Sequence, residues 1–326
     1  MQGYVVAGTC EPSRLTSHTL TSHVSRLTSY ASLLSRFHSL GSAADTSPVD
    51  LITSPLSDAV PITGQGNPPA VWARSLTRVF GKEMAVDHID LAIQPGEFYG
   101  LLGQNGAGKT TTIKMIVGLL RPTTGTGGIG EFDTWRHPLE VKRRIGVLPE
   151  EFNLYERLTG AELLDFTSAM HGLEREEAVV RRDELLAMLD LEEAASKLVG
   201  DYSRGMRKKV ALAAAIIHRP PVLFLDEPFE GVDPVSARLI QNLLRNYTAQ
   251  GATIIFSSHE MYLVERLCTR IGIMQKGRMV IESSPQGLCE AMGVTSVEDA
   301  FILAVGGALR SEGAKWLDAS AGSSPV

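Results

Sequence analysis

The sequence lacks three features that would place the chain in other protein classes. No apolar run approaches the roughly 20 residues that cross a bilayer, and the longest strong one spans only residues 210–217. The cysteines, Cys10, Cys268 and Cys289, have no metal-ligand spacing and indicate a reducing compartment. The net charge of −6 provides no basic surface for nucleic acid. We therefore expect that any membrane path is supplied by another polypeptide and that nucleic acid is not a partner.

A glycine-rich segment follows an apolar run, residues 98–102, that predicts a buried strand. The segment fits the pattern Gly, four residues, Gly-Lys-Thr, and a helix can follow it. Its glycines let consecutive N–H groups turn toward an anion, and the helix N-terminus adds partial positive charge. We predict that Lys109 reaches the β and γ phosphates of a nucleoside triphosphate and that Thr110 ligates Mg²⁺. The predicted phosphate-binding residues are Gly103, Gln104, Asn105, Gly106, Ala107, Gly108, Lys109, Thr110 and Thr111.

Two further apolar runs end in side chains suited to hydrolysis. Residues 221–225 predict a strand covered on both faces, and Asp226 and Glu227 close it. Asp226 is expected to hold Mg²⁺, and Glu227 to polarise the attacking water. Alone, such a pair is more often a solvated strand end, but the glycine loop upstream favours catalysis. His259 ends a third strand and is expected to bind the γ phosphate or the water, a packed or capping histidine being the alternative.

The order of these motifs resembles the nucleotide-binding domain of an ABC transporter. The distinguishing mark of that family is a signature segment before the Asp-Glu strand, here residues 202–209, followed by an apolar helix. The resemblance implies that Ser203 and the Gly205 amide close on the γ phosphate held by a second subunit, so that two domains enclose two nucleotides. It also implies adenine stacking on Phe80, a metal contact from Glu150 in place of the usual glutamine, and intersubunit contact near Asp233.

The resemblance implies an α/β fold: a P-loop NTPase core with a mixed sheet, an antiparallel β subdomain and a helical insert. It covers residues 71–282, with a helical subdomain at about 152–210, and extends loosely over residues 283–307. Residues 283–326 are expected to form a C-terminal helix and a loose tail. Residues 1–70 lie outside it. They are rich in Ser and Thr, contain no lysine and offer little apolar surface, so we interpret them as a disordered extension. A transit segment or a gene start placed too far upstream are the alternatives, and the bacterial resemblance favours the latter.

The implied function is an ATP-hydrolysing subunit that binds ATP and Mg²⁺ and powers a transporter by dimer closure. Its expected partners are a transmembrane permease and a second nucleotide-binding domain, identical or related. The expected location is the cytoplasmic side of the plasma membrane. Tyr202, Arg204, Met206 and Glu150 depart from the common family pattern. Similar departures are familiar from bacterial export-type ATPases serving drug or sodium permeases, so export is the expected direction.

Two alternatives come from other functional classes. One is a soluble ABC ATPase of translation or DNA repair, but such relatives carry two nucleotide domains or a long coiled-coil insertion. The other is a binder that does not hydrolyse ATP, against which the intact Glu227 and His259 argue.

The remaining patterns predict local structure. Thr159 and Glu162 form a capping box, with Leu158 and Leu163 as a hydrophobic staple. Helices are expected over residues 161–171, 174–191 and 296–305, and a hairpin over 270–281. Phe152, Leu154 and Tyr155 are expected either to contact the permease or to pack inside the insert.

Overall fold

The computed structural model describes residues 68–151 and 153–306. The expectations for the N-terminal extension up to residue 67, for Phe152 and for the tail beyond residue 306 lie outside these ranges. Within them, no helix has both the length and the apolar character needed to cross a membrane.

Ten strands form two sheets within the described residues. In chain order the strands are β1 Val71–Phe80, β2 Glu83–Ile93, β3 Phe98–Gly103, β4 Thr124–Ile129, β5 Phe132–Asp133, β6 Ile145–Leu148, β7 Val222–Asp226, β8 Thr253–Ser257, β9 Arg270–Gln275 and β10 Arg278–Ser283. The smaller sheet is antiparallel, in the order β2-β1-β4-β5. The larger sheet has the order β10-β9-β3-β8-β7-β6 and is parallel except for β10, which pairs with β9 as the predicted hairpin. The expected mixed-sheet fold with an antiparallel subdomain is confirmed.

Strands β3, β7 and β8 of the larger sheet are covered on both faces. In β7, Val222 and Phe224 point into an apolar cluster shared with the antiparallel sheet, whereas Leu223 and Leu225 point into a second cluster shared with the helices. Because successive side chains of a strand point to opposite faces, a strand between two layers must be apolar at every position. This explains why the motif strands appear as continuous apolar runs.

Nine α-helices surround these sheets within the described ranges. They are α1 Lys109–Ile116, α2 Pro138–Arg144, α3 Gly160–Met170, α4 Arg175–Met188, α5 Arg204–Ile216, α6 Pro234–Ala249, α7 Met261–Leu267, α8 Pro285–Met292 and α9 Val297–Ala304. Helices α3 and α4 form the expected helical insert, and α5, which begins at the signature segment, packs against both.

The capping box at the start of α3 is confirmed. The Thr159 hydroxyl accepts the Glu162 amide at 3.2 Å, and the Glu162 carboxylate accepts the Thr159 amide at 2.9 Å. Leu158 and Leu163 belong to the same apolar cluster, as a staple requires. Helix α4 ends at Met188, three residues earlier than expected, because the chain turns there and places Asp190 at φ +53°.

The C-terminal helices share the main core. Leu288, Val297 and Ala300 are buried in the cluster that also contains the helix-facing side of the larger sheet. The side-chain amide of Gln275 donates to the Val305 carbonyl at 2.8 Å and so ties the end of α9 to β9. These helices therefore pack on the helix-facing side of the larger sheet.

The structure places two of the three residues considered for permease contact. Leu154 and Tyr155 are partly buried against the core cluster, and the Tyr155 ring meets Phe166 of α3 edge-on, with centroids 5.3 Å apart. Packing inside the insert is therefore the alternative that the structure supports for these two residues.

Candidate nucleotide site

The site lies at one edge of the parallel sheet. Strands β3, β8 and β7 are neighbours, and the register pairs Leu101 with Ser257 and Ser257 with Asp226. Because carboxyl ends of parallel strands meet at the same edge, the phosphate loop after β3, the acidic pair of β7 and the His259 segment after β8 come together. Three motifs that lie more than 150 residues apart from first to last thus form one site.

The phosphate loop ends in a helix that no side chain caps. Gly108 takes the N-cap position of α1 with φ +102° and ψ 3°, and its carbonyl accepts the Thr112 amide at 2.9 Å. Helices α3, α5, α6, α8 and α9 each begin with a Ser, Thr or Asp side chain bound to a first-turn amide, whereas α2, α4 and α7 share the uncapped start of α1. The first-turn amides of α1, which have no such partner among the described residues, suit a phosphate.

Lys109 is folded back over this loop. Its ammonium donates to the carbonyls of Gly103 at 2.7 Å and Gln104 at 3.4 Å. Burial lowers the pKa of Lys109, whereas the charges of Glu227, Asp226 and Glu150 raise it. An ammonium held by neutral carbonyls beside acidic groups can exchange these bonds for stronger ones to phosphate oxygens.

The residues predicted to hold Mg²⁺ have the required chemistry. The Thr110 hydroxyl donates to the Asp226 carboxylate at 2.9 Å, and the Ser257 hydroxyl binds the other oxygen of that carboxylate. These oxygen donors suit a hard cation, whose remaining ligands would come from phosphates and water. Glu150 is exposed, and its charge acts on Lys109. No cluster of three or more His, Cys, Asp or Glu side chains suited to a metal occurs in the part of the chain described.

Glu227 and His259 form a pair. The Nδ1 atom of His259 lies 3.0 Å from the Glu227 carboxylate, and the two side chains are 60% and 12% exposed. Burial raises the pKa of Glu227, and the hydrogen bond and charge of His259 oppose that rise. Glu227 also has a left-handed backbone, with φ +48°, which costs energy for a residue with a side chain. Such strain and such a pKa shift are typical of catalytic groups.

Phe80 lies at the end of the hairpin beside the loop. Residues at the adjoining start of β2 contact the loop, since the carbonyl of Ala85 and the side chain of Val86 approach Gly108. Phe80 is 45% exposed and carries the Arg78 guanidinium 4.5 Å above its ring. An aromatic ring exposed at this position fits the predicted stacking on a base.

A second cleft holds the signature residues. Ser203, Gly205 and Asp233 line a cavity of about 480 Å³ that shares no lining residue with the phosphate loop. The Ser203 hydroxyl accepts the Met206 amide at 3.2 Å as the cap of α5 and keeps its own proton for donation. Asp233 caps α6, and hydrogen bonds with Ser236 hold the pKa of its carboxyl below the usual range. The predicted nucleotide residues of one chain thus fall into two separate groups.

Sequence reasoning missed two contributors to the site. Helix α9 lines a cavity of about 480 Å³ together with Gly103, Gln104, Asn105 and His259. Lys208 of α5 is buried and donates to backbone carbonyls of the segment after Asp226. Nothing in the local pattern distinguishes Lys208 from its neighbours Arg207 and Lys209, because only the fold reveals which basic side chain reaches that segment.

Comparison with known proteins agrees with this geometry. The family model described as ABC transporter matches residues 86–230. The chain is 36% identical over 241 residues to the linearmycin resistance ATP-binding protein of Bacillus subtilis (strain 168), covering 72% of this chain and 78% of the relative. It is 36% identical over 229 residues to a daunorubicin resistance ATP-binding protein of Streptomyces coeruleorubidus, covering 70% and 71%.

Solved structures show the same fold. An ATP-binding subunit of an ABC transporter superposes with a TM-score of 0.69 at 29% identity, covering 72% of this chain and 99% of that one. A dimeric post-hydrolysis state of an ATP-binding cassette, bound to ADP and Pi, gives a TM-score of 0.62 at 26% identity and covers 66% and 98%.

Proposed function

This chain belongs to the ABC transporter family of ATP-binding proteins, and on that premise we propose how its residues divide the work of the ATPase cycle. It is an ATP-binding and ATP-hydrolysing subunit that energises an exporter. The observation that carries the assignment is the meeting of Thr110, Asp226, Glu227 and His259 beside the uncapped helix α1.

The phosphate loop binds the triphosphate. The Lys109 ammonium leaves the carbonyls of Gly103 and Gln104 for the β and γ oxygens, and the loop amides surround the β phosphate. Thr110 and Asp226, with Glu150, would hold Mg²⁺, which supplies positive charge to the phosphate oxygens. Phe80 would stack on the adenine.

Glu227 and His259 carry out the hydrolytic step. The Glu227 carboxylate orients the water and accepts its proton as the water oxygen attacks the γ phosphorus and the bond to the β–γ bridging oxygen breaks. The Nδ1 atom of His259 holds Glu227, and its Nε2 is the atom we assign to the γ phosphate. Because burial raises the pKa of Glu227, activity should fall on acidification at a higher pH than for an ordinary glutamate.

The second cleft implies a partner. Ser203, Gly205 and Asp233 do not line the cavity at the phosphate loop, so we propose that they meet the nucleotide of a second nucleotide-binding domain, identical or related. The dimeric form of a similar cassette supports this arrangement. Closure of the pair would drive a transmembrane permease, and the subunit would sit at the cytoplasmic face through that permease. The names of the relatives, which include resistance and export proteins, support export over translation or repair.

The substitution Glu227→Gln tests the catalytic assignment. It should lower the rate of phosphate release by about 10²–10⁴-fold, because the variant cannot accept the proton. Affinity for a fluorescent ATP analogue should stay within about threefold of the wild type, since the loop is intact. Glu260→Gln is the matched control: it removes an exposed carboxylate next to His259 and should retain normal turnover. Near-normal hydrolysis by Glu227→Gln would refute the assignment.

A further inference from the structure

A buried lysine on the signature helix holds the segment that carries Glu227. Lys208 follows Ser203 by five residues on α5, and the residue is 1% exposed. Its ammonium donates to the Glu227 carbonyl at 2.6 Å and to the Glu230 carbonyl at 2.9 Å. The two acceptors are the first and last carbonyls of the turn that follows β7.

The burial of this ammonium costs free energy, and its hydrogen bonds to the turn offset that cost. Burial lowers the pKa of Lys208, while Glu230 raises it. Its two hydrogen-bond acceptors are neutral carbonyls, and charge-assisted bonds to such acceptors are stronger than bonds between neutral groups. Two strong bonds at the ends of a four-residue turn leave that turn little freedom.

The turn begins with a strained residue. Glu227 has a φ of +48°, an unfavourable backbone conformation that persists only where surrounding contacts enforce it. Its carbonyl also accepts the Glu230 amide at 3.3 Å. Because this backbone sets the direction of the Cα–Cβ bond, it decides where the Glu227 carboxylate points.

Arg204 holds the same turn from its outer side. Its guanidinium lies 3.1 Å from the Glu230 carboxylate, and a Cβ placed on Gly231 would meet its Nε at 2.8 Å. Arg204 and Lys208 are four residues apart and therefore lie on one face of α5. Arg204 is exposed and Lys208 is buried, so one holds the turn at the surface and the other in the interior.

We infer that Lys208 is a positioning residue for hydrolysis: it fixes the backbone of Glu227 and Glu230 and thereby aims the Glu227 carboxylate at the attacking water. The inference rests on the proposed function, in which Glu227 orients that water. Lys208 also links the two clefts of one chain, because α5 begins at Ser203 in the signature cleft and reaches the Glu227 turn through Lys208.

A cation that binds the far end of the same helix provides the control. Arg181 of α4 is half-buried, and its guanidinium also donates to a backbone carbonyl, that of Ile217 at 2.8 Å. That bond ties the end of α5 to the helical insert and not to the turn after β7. Arg181→Met therefore removes the same kind of bond without touching Glu227, and Arg181 lines neither of the two clefts.

The experiment compares steady-state ATP hydrolysis and nucleotide binding in the full-length chain with Mg·ATP. Lys208→Met should lower kcat by about 10–100-fold while the KM for ATP stays within about threefold, because a misplaced catalytic group affects chemistry more than binding. Lys208→Gln, which keeps a donor, should fall between Lys208→Met and the wild type. Arg181→Met should keep its kcat within about threefold, even if its melting temperature falls.

The following results separate the outcomes. Lys208→Met combined with Glu227→Gln should be no slower than Glu227→Gln alone if Lys208 acts through Glu227. If Lys208→Met or Lys208→Gln turns over normally while Glu227→Gln is inactive, or if Arg181→Met loses as much kcat as Lys208→Met, the positioning role is wrong and the proposed function stands. If Glu227→Gln itself turns over normally, the proposed function fails. Should Lys208→Met not fold, Lys208→Gln alone decides: a normal kcat overturns the inference.

Discussion

The phosphate loop and the signature segment both place glycine at the start of a helix, yet the two glycines are constrained differently. Gly108 has φ +102°, and a Cβ there would lie 2.5 Å from the Ala85 carbonyl oxygen, which is backbone and cannot move aside. Gly205 lies in the first turn of α5, and the nearest atom to a Cβ built on it is the Asp233 carboxylate at 4.0 Å. The chain itself excludes a side chain at Gly108 but not at Gly205.

The contrast shows where each motif completes its site. The phosphate loop is shaped by packing within the chain, against β2 and around an uncapped helix. The signature segment is already capped by Ser203 and has open space in front of Gly205. A requirement for glycine at Gly205 therefore has to come from something that docks on that face.

The largest effect is expected from Gly108→Ala. The methyl group would clash with the Ala85 carbonyl and force a left-handed alanine, at a cost of about 2–5 kcal/mol in unfolding free energy. ATP affinity should fall by about 100-fold or more, because the amides that face the phosphate move. Urea denaturation and titration with a fluorescent ATP analogue measure the two quantities.

Gly251→Ala is the control for backbone strain without a clash. Gly251 also has positive φ, at +95°, but no atom lies within 4 Å of its Cβ position. The Gly251→Ala variant should lose stability and keep the ATP affinity of the wild type. Wild-type ATP affinity in Gly108→Ala would show that the loop tolerates the methyl group and would remove the contrast.

Gly205→Ala should lower the rate of hydrolysis without weakening the fold or ATP binding. Its stability should be unchanged or higher by up to about 1 kcal/mol, because alanine is the better helix former. ATP binding by the single chain should be unaltered, while kcat falls by about tenfold or more, because the methyl group occupies the face proposed for the partner's nucleotide. Unaltered kcat would mean that this face does not reach a reacting nucleotide.

The smallest effect concerns the far end of the signature helix. His218 follows α5 and stacks on His171, with ring centroids 3.5 Å apart, and its Nε2 lies 3.1 Å from the Ile145 carbonyl. Burial first, and the charge of His171 second, lower the pKa of His218 to about 4. The unfolded chain therefore takes up a proton below about pH 6.5 that the folded chain refuses until about pH 4. Stability should fall across that window as the pH falls.

His218→Phe should reduce this acid sensitivity while keeping an aromatic ring against His171. Urea midpoints at pH 7 and pH 5 measure the difference, which should be smaller in the variant than in the wild type. An equal loss in both proteins would exclude His218 as its source. The phosphate loop contains no histidine, so this effect belongs to the signature side of the comparison.

Local patterns were sufficient for the elements that carry the motifs. The strands before Gly103 and through Asp226, the capping box at Thr159 and the hairpin after Arg270 form as expected. Each depends on near neighbours in the chain, which a sequence displays directly. The end of α4 was misjudged, because the turn at Asp190 is enforced by the packing around it.

The pairing of His259 with Glu227 and the cavity wall formed by α9 were not predicted. Both join residues that lie far apart in the chain, and no periodicity records such a contact. The same holds for Lys208, whose neighbours Arg207 and Lys209 are equally basic. The orientation of α5 relative to β7 decides which of these three adjacent cations reaches the turn from Glu227 to Glu230.

The amino-acid sequence by itself determined the chemistry of this protein: a glycine loop with Lys109, the acidic pair, the signature serine and the family to which they belong. Those features are local, and a few neighbouring residues specify each one. Tertiary structure alone decided the strained backbone of Glu227, the histidine that holds its carboxylate and the buried lysine that holds its turn. These depend on how the parallel strands align and how α5 packs across them. Both arrangements are fixed only when the apolar faces of the chain are buried against one another.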